Sequence, residues 1–228
     1  MPALRRVRLR DGHPLLRGGA NAFVPPALAT IRVVPAGPAP RSPFGGPVVP
    51  RRALEEAAAR LADWYRAGVL DAVGRLPLQP ADPSFPDVTL SLAKDRRLFS
   101  RTLQLMVVAD TAGDGPEADG ALALRIRRLF RRHQLEWKGA APPDGDRWRV
   151  AFVDAGLVRG AATMTNVREL RLGYASGEHR WSLRLVTLAG ALIGTSPGAG
   201  IVVPLEPEDV DGLLQVLRAF VAGARGVV

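Results

Sequence analysis

Apolar positions along the chain follow two periods. Leu54, Ala58, Leu61, Ala62, Tyr65, Val69 and Leu70 recur every three to four residues, which predicts a helix over 51–73. Glu55 and Glu56 suit its first turns, and Gly74 follows its end. Leu122, Ile126, Leu129 and Phe130 predict a second helix over 120–133, with Arg125, Arg128, Arg131 and Arg132 mostly off the apolar face. A third helix begins at Pro207 and carries Val210, Leu213, Leu214, Leu217, Phe220 and Val221 on one face. Glu208, Asp209 and Asp211 complement its dipole.

Elsewhere the pattern alternates or forms short apolar runs. Strands are predicted over 88–92 and 103–109, then as a series over 134–138, 147–153, 157–164, 167–174, 181–187, 191–195 and 200–205. Turn residues separate most of the series, among them Ala155-Gly156, Ser176-Gly177 and Ser196-Pro197-Gly198. Residues 77–87 hold four prolines and read as a linker. The chain therefore reads as α+β, in three parts: an extended arm over 1–50, a helix–strand–helix region over 51–133, and a β-rich part over 134–228. A β-α-β unit over 103–153 in a mixed sheet is the alternative arrangement of the same elements.

Seven strands and a closing helix resemble a pleckstrin-homology-like barrel of the bacterial style over about 134–222. The residues that carry the likeness are Gly156-Leu157-Val158-Arg159-Gly160, Asn166-Val167-Arg168-Glu169-Leu170-Arg171-Leu172, and Gly200-Ile201-Val202-Val203-Pro204-Leu205 with Pro207. The resemblance implies an antiparallel seven-strand barrel and a binding module rather than an enzyme. It also implies that Lys138, Arg147 and Arg149 could meet a lipid head group, against which Asp144 and Asp146 would act. The tryptophan common in the last helix of such domains is absent, with Phe220 nearest to it.

Charge divides the chain sharply. Residues 1–52 carry nine arginines against the single acid Asp11, so they hold +8 of the net +9. The first 50 residues also hold 10 of the 20 prolines, which excludes long helices and central strands there. One extended piece, residues 30–34, could pair at a sheet edge. The rest reads as polyproline-like chain that gains its order from contact with its own body or a neighbour. No apolar run is long enough for a membrane span, and no secretory leader is legible, so the cytoplasm is the expected compartment. The absence of cysteine excludes disulfides, thiolate metal sites and cysteine nucleophiles. Arginine outnumbers lysine, which is only Lys94 and Lys138; this reads mainly as base composition of the gene.

Reactive motifs are lacking. The acids of 110–119 match an EF-hand loop at Asp110, Asp114 and Gly115 but fail at Ala112 and Ala121, so a surface turn is the plainer reading. His13, His133 and His179 share no metal spacing. There is no nucleophile elbow, phosphate loop or dinucleotide fingerprint. The expectation is a non-enzymatic structural or docking subunit without a cofactor or metal, joined to other protein subunits through Arg5, Arg6, Arg8, Arg10, Arg17, Arg32 and Arg41. The alternative is a nucleic-acid-binding protein that adds phosphate contacts from Arg125, Arg128, Arg131 and Arg132.

Overall fold

The computed structural model describes residues 32–34, 48–94, 101–129, 132–138, 144–164, 167–196 and 199–226. Its elements in chain order are β1 (Arg32–Val34), α1 (Val48–Arg60), β2 (Tyr65–Ala67), β3 (Leu76–Pro80), β4 (Asp87–Lys94), β5 (Arg101–Ala112), β6 (Gly120–Leu129), β7 (Arg132–Lys138), α2 (Gly145–Asp154), α3 (Leu157–Thr163), β8 (Val167–Ala175), β9 (Arg180–Ser196), β10 (Ala199–Val202) and α4 (Pro207–Ala224). The fold is α+β, as the two periods predicted. Eight strands lie in the order β2-β3-β4-β5-β9-β8-β6-β7. The far half of β9 carries β10, and β10 carries β1, so residues 32–34 do pair at an edge. Every pairing among the described residues is antiparallel, so the described residues of 103–153 form no parallel β-α-β crossover.

Strand parity sets the core. On β5, Leu105, Val107 and Ala109 are buried; on β8, Leu170, Leu172 and Tyr174; on β9, Trp181, Leu183 and Leu185. These residues join one apolar cluster with Leu54 and Leu61 of α1, Trp148 and Phe152 of α2, Leu157 and Ala161 of α3, and the apolar face of α4. The four described α-helices thus pack into one core with this set of strand residues. Trp181 is the centre of an aromatic nest, with ring centroids 4.9 Å from Phe152, 4.9 Å from Tyr174 and 5.5 Å from Trp148. Phe152 in turn stacks on Phe220 of α4. Each such pair adds about 0.5–1.5 kcal/mol beyond the area buried.

Several predicted elements differ. Residues 120–129 form a strand, not a helix, because Leu122, Leu124 and Ile126 also alternate and pairing with β8 decides between the periods. Residues 147–153 and 157–163 lie in helices, not strands. Trp148 and Phe152 are one turn apart and buried, whereas Val150 is 58% exposed, the opposite of what a strand would do. Leu157, Gly160, Ala161 and Met164 likewise trace a helical stripe. Four strands and two helices therefore occupy 134–205, in place of seven strands. The first helix ends at Arg60, and the supposed linker contains β3, where Leu76 and Leu78 are buried between exposed neighbours. The predicted strands over 181–187 and 191–195 are halves of the single long β9.

Helices α3 and α4 cross at paired glycines. A Cβ on Gly160 would stand 2.8 Å from the Val216 amide nitrogen, and one on Gly212 would stand 2.9 Å from the Gly160 carbonyl oxygen. Backbone atoms cannot step aside as side chains do. Alanine improves helix propensity by about 1 kcal/mol over glycine, but overpacking costs about 1–3 kcal/mol. Gly160→Ala is therefore expected to lower unfolding free energy by about 1 kcal/mol or more in urea titration. Gly177→Ala, where nothing lies within 4 Å, should leave it unchanged.

Candidate functional surface

The side of the sheet away from the helices is polar where β8 and β9 meet. Because Leu170, Leu172, Leu183 and Leu185 turn inward, Arg171, Ser182 and Arg184 turn outward, and all three are exposed. The register sets Arg171 directly opposite Arg184 and Gly173 opposite Ser182. Directly opposed residues have Cβ atoms about 4.5–5.5 Å apart, so two like charges stand together at a cost to the sheet. Arg171 is paired through its Nε to Glu169 Oε1. Arg184 has no ion pair among the described residues. Arg168 is exposed where the β8–β9 register shifts, and Arg180 reaches Asp110 at 3.6 Å near the end of the same strands.

The row continues into a two-stranded ribbon. Arg171 is opposite Ala123 of β6, and Ala123 is opposite Lys138 of β7. Past Leu124, β6 pairs with β7 alone: Arg125 with Glu136, Arg127 with Gln134, Arg128 with His133 and Leu129 with Arg132. The arginines expected along one helix are therefore at alternating positions of a strand. Arg131 lies outside the described residues, as do Arg5, Arg6, Arg8, Arg10, Arg17 and Arg41. Arg32 begins β1, opposite Val202.

The acids of 110–119 do not converge. Asp110 serves Arg180, and the Asp114 carbonyl accepts the Trp181 indole N–H at 2.6 Å. Asp119 Oδ1 accepts bonds from the Ser176 amide at 2.6 Å and the Ser176 hydroxyl at 2.7 Å, tying this turn to the β8–β9 connection. Those bonds, the hydroxyl first, hold the Asp119 carboxyl below its ordinary pKa. Among the described residues no three His, Asp or Glu side chains are grouped to hold a metal. Lys138 ends β7, whereas Arg147 and Arg149 are on α2, with Arg149 bonded to Asp146 at 2.9 Å; adjacent barrel strands do not present these three. His179 is in the β8–β9 connection, 3.3 Å from the Tyr174 hydroxyl.

An open cleft of about 470 Å³ separates α1 from the β2–β3 hairpin, lined by Arg51, Glu55, Ala58, Tyr65 and Leu70 among others. Its one carboxylate, Glu55, is paired with Arg51 at 2.7 Å. The Tyr65 hydroxyl donates to the Pro86 carbonyl at 3.3 Å. Burial first, and the Asp87 charge second, push its pKa up.

Sequence reasoning missed Arg171 and Arg184. The signal was present, since both alternate with buried leucines and the turn at 176–179 sets which residues oppose. No protein-family model matches the chain, and comparisons with curated proteins and with solved structures find no match either.

The Asp119 bonds make a pH-dependent tie. A depressed folded-state pKa gives stability that is fully present above the unfolded-state value and is lost as pH falls through the folded one. Ser176→Ala should raise the Asp119 pKa towards the ordinary carboxylate range, read from its carboxyl carbon shift against pH. Its stability deficit relative to wild type should shrink as the solution is acidified.

Proposed function

We propose that the chain is a non-enzymatic docking subunit of a larger macromolecular assembly, homo- or hetero-oligomeric, working in the cytoplasm and engaging an anionic partner through cationic surfaces. The opposed Arg171 and Arg184 carry this reading. Unlike charges across a strand pair would stabilise the sheet by roughly 0.2–1 kcal/mol; like charges do the reverse. Glu169 offsets part of the Arg171 charge and leaves Arg184 beside it, so an anion laid over the two guanidiniums gains charge-assisted hydrogen bonds. The paired strands hold both guanidinium stems in register, so less ordering entropy is lost on binding.

The arm belongs to the same reading. Arg5, Arg6, Arg8, Arg10, Arg17, Arg32 and Arg41 are spread among ten prolines, which narrow the unbound ensemble and so lower the entropic cost of draping over a partner. A second reading, phosphate contact with nucleic acid, is favoured by the run Arg125, Arg127, Arg128 and Arg132 on β6 and β7, which adds cations to the same strand rows.

Heparin chromatography of the full chain tests the docking surface. Arg171→Gln with Arg184→Gln should elute at clearly lower salt than wild type. Arg51→Gln with Arg52→Gln removes equal formal charge from exposed side chains on α1, away from the β8–β9 pair, and should elute later than the sheet variant. Equal elution of the two variants would refute the assignment of the surface.

A further inference from the structure

We propose that the polar face of the sheet packs on the same face of a second copy of this chain, about a two-fold axis lying between the two stacked sheets. The proposal rests on the reading of Arg171 and Arg184 as a surface that meets an anionic partner, and it names that partner.

The register is the first support. Asp87 of β4 is directly opposite Asp110 of β5, Asp110 is opposite Ser182 of β9, and Ser182 is opposite Gly173 of β8. Two residues along, Thr89 is opposite Val108, Val108 is opposite Arg184, and Arg184 is opposite Arg171. Residues two apart on a strand share a face, and the alternate positions Val88, Val107, Ala109, Leu172 and Leu183 are buried on the other side. One face therefore carries two rungs of like charge and opposite sign, acidic on β4–β5 and basic on β9–β8. Each rung alone costs the sheet. Their centres are two strand spacings and one two-residue step apart, roughly 12 Å.

The ion pairs within the chain leave the same remainder at both rungs. Glu169 offsets Arg171, and Arg180 reaches Asp110 at 3.6 Å. Arg184 and Asp87 are both exposed and have no ion pair among the described residues. The face thus keeps one uncompensated cation and one uncompensated anion.

Charge complementarity selects the occupant. A partner anionic throughout gains at the arginines and loses at the aspartates, and a partner cationic throughout does the reverse. The partner that gains at both presents acid and base at this spacing in the opposite order. A second copy, turned over about a two-fold axis midway between the rungs, lays its aspartates on Arg171 and Arg184 and its arginines on Asp87 and Asp110. Such an isologous contact satisfies both rungs of both copies and closes at two. The surface between the rungs is low: Thr89 and Val108 are half-buried, and Gly173 has no side chain, with the Ser182 hydroxyl donating to its carbonyl at 3.5 Å. Two sheets can therefore approach to the face-to-face spacing of about 10 Å, a gap that an arginine from one copy and an aspartate from the other close together.

Sedimentation velocity of the full chain over a range of protein concentrations tests the proposal. Wild type should form dimers that loosen as salt is added. Arg171→Glu with Arg184→Glu makes the face all acid, and Asp87→Arg with Asp110→Arg makes it all base; each should raise the dimer dissociation constant at least about tenfold. An equimolar mixture of the two variants should form a heterodimer, and the variant carrying all four exchanges should dimerise again. Circular dichroism reports whether each variant is folded; for one that is not, the neutral pair Arg171→Gln with Arg184→Gln, or Asp87→Asn with Asp110→Asn, takes its place and should also weaken the dimer. Monomeric wild type, reversed or neutral variants that dimerise as wild type does, or a mixture of folded variants that stays monomeric would each overturn the proposal. Monomeric wild type whose heparin elution still depends on Arg171 and Arg184 would overturn the second copy alone. Monomeric wild type whose heparin elution is indifferent to them would overturn the docking reading with it.

Discussion

The alternation of side chains along β5, β8 and β9 is the constraint on which the rest depends. Period two sends Leu105, Val107, Leu170, Leu172, Leu183 and Leu185 to one side, where α4 and its neighbours complete the core. The same rule sends Arg171, Ser182 and Arg184 to the other side. A slip of one residue would bury both arginines and expose the leucines, so the register is held by the full weight of the core. The cationic surface is in this sense a by-product of core packing, but a fixed one.

Trp181 joins the two sides of that bargain. Its ring is fully buried among Trp148, Phe152 and Tyr174, while its indole N–H reaches the Asp114 carbonyl in the turn after β5. Burying the indole without that acceptor would cost about 1–3 kcal/mol. The bond therefore fixes the 110–119 turn against the start of β9. Asp119 fixes the other end of the turn on Ser176. A segment that resembles part of a cation loop in its residue types is instead a clasp across the β8–β9 hairpin, and its carboxylates are spent on separate partners.

What could be read beforehand follows from how locally each element is determined. The last helix was legible because Pro207, the acids of its first turn and its apolar face all agree. Strands 88–92 and 103–109 were legible because Val, Leu and Thr leave little choice of period. Residues 120–129 satisfy both periods, and only the presence of β8 alongside resolves them. Trp148 and Val150 alternate as a strand would, but Phe152 completes a helical pair with Trp148 that long-range packing on Trp181 rewards. The proline-marked stretch 77–87 hid β3, whose two buried leucines needed β4 as a partner before they meant anything. The arginines of 125–132 were read as lying along a helix, whereas residues 120–129 and 132–138 are strands.

That difference of element changes what the run can do. A helix turns 100° per residue and would gather Arg125, Arg128 and Arg132 near one face, a patch suited to a flat anionic surface. A strand advances more than twice as far per residue as a helix. The same charges are therefore drawn out along β6 and β7. Coulomb repulsion among them falls with distance and with water between them, so the ribbon tolerates the run better than a helix would. Strand pairing from β9 through β8 to β6 then sets the row of Arg184 and Arg171 beside the ribbon base.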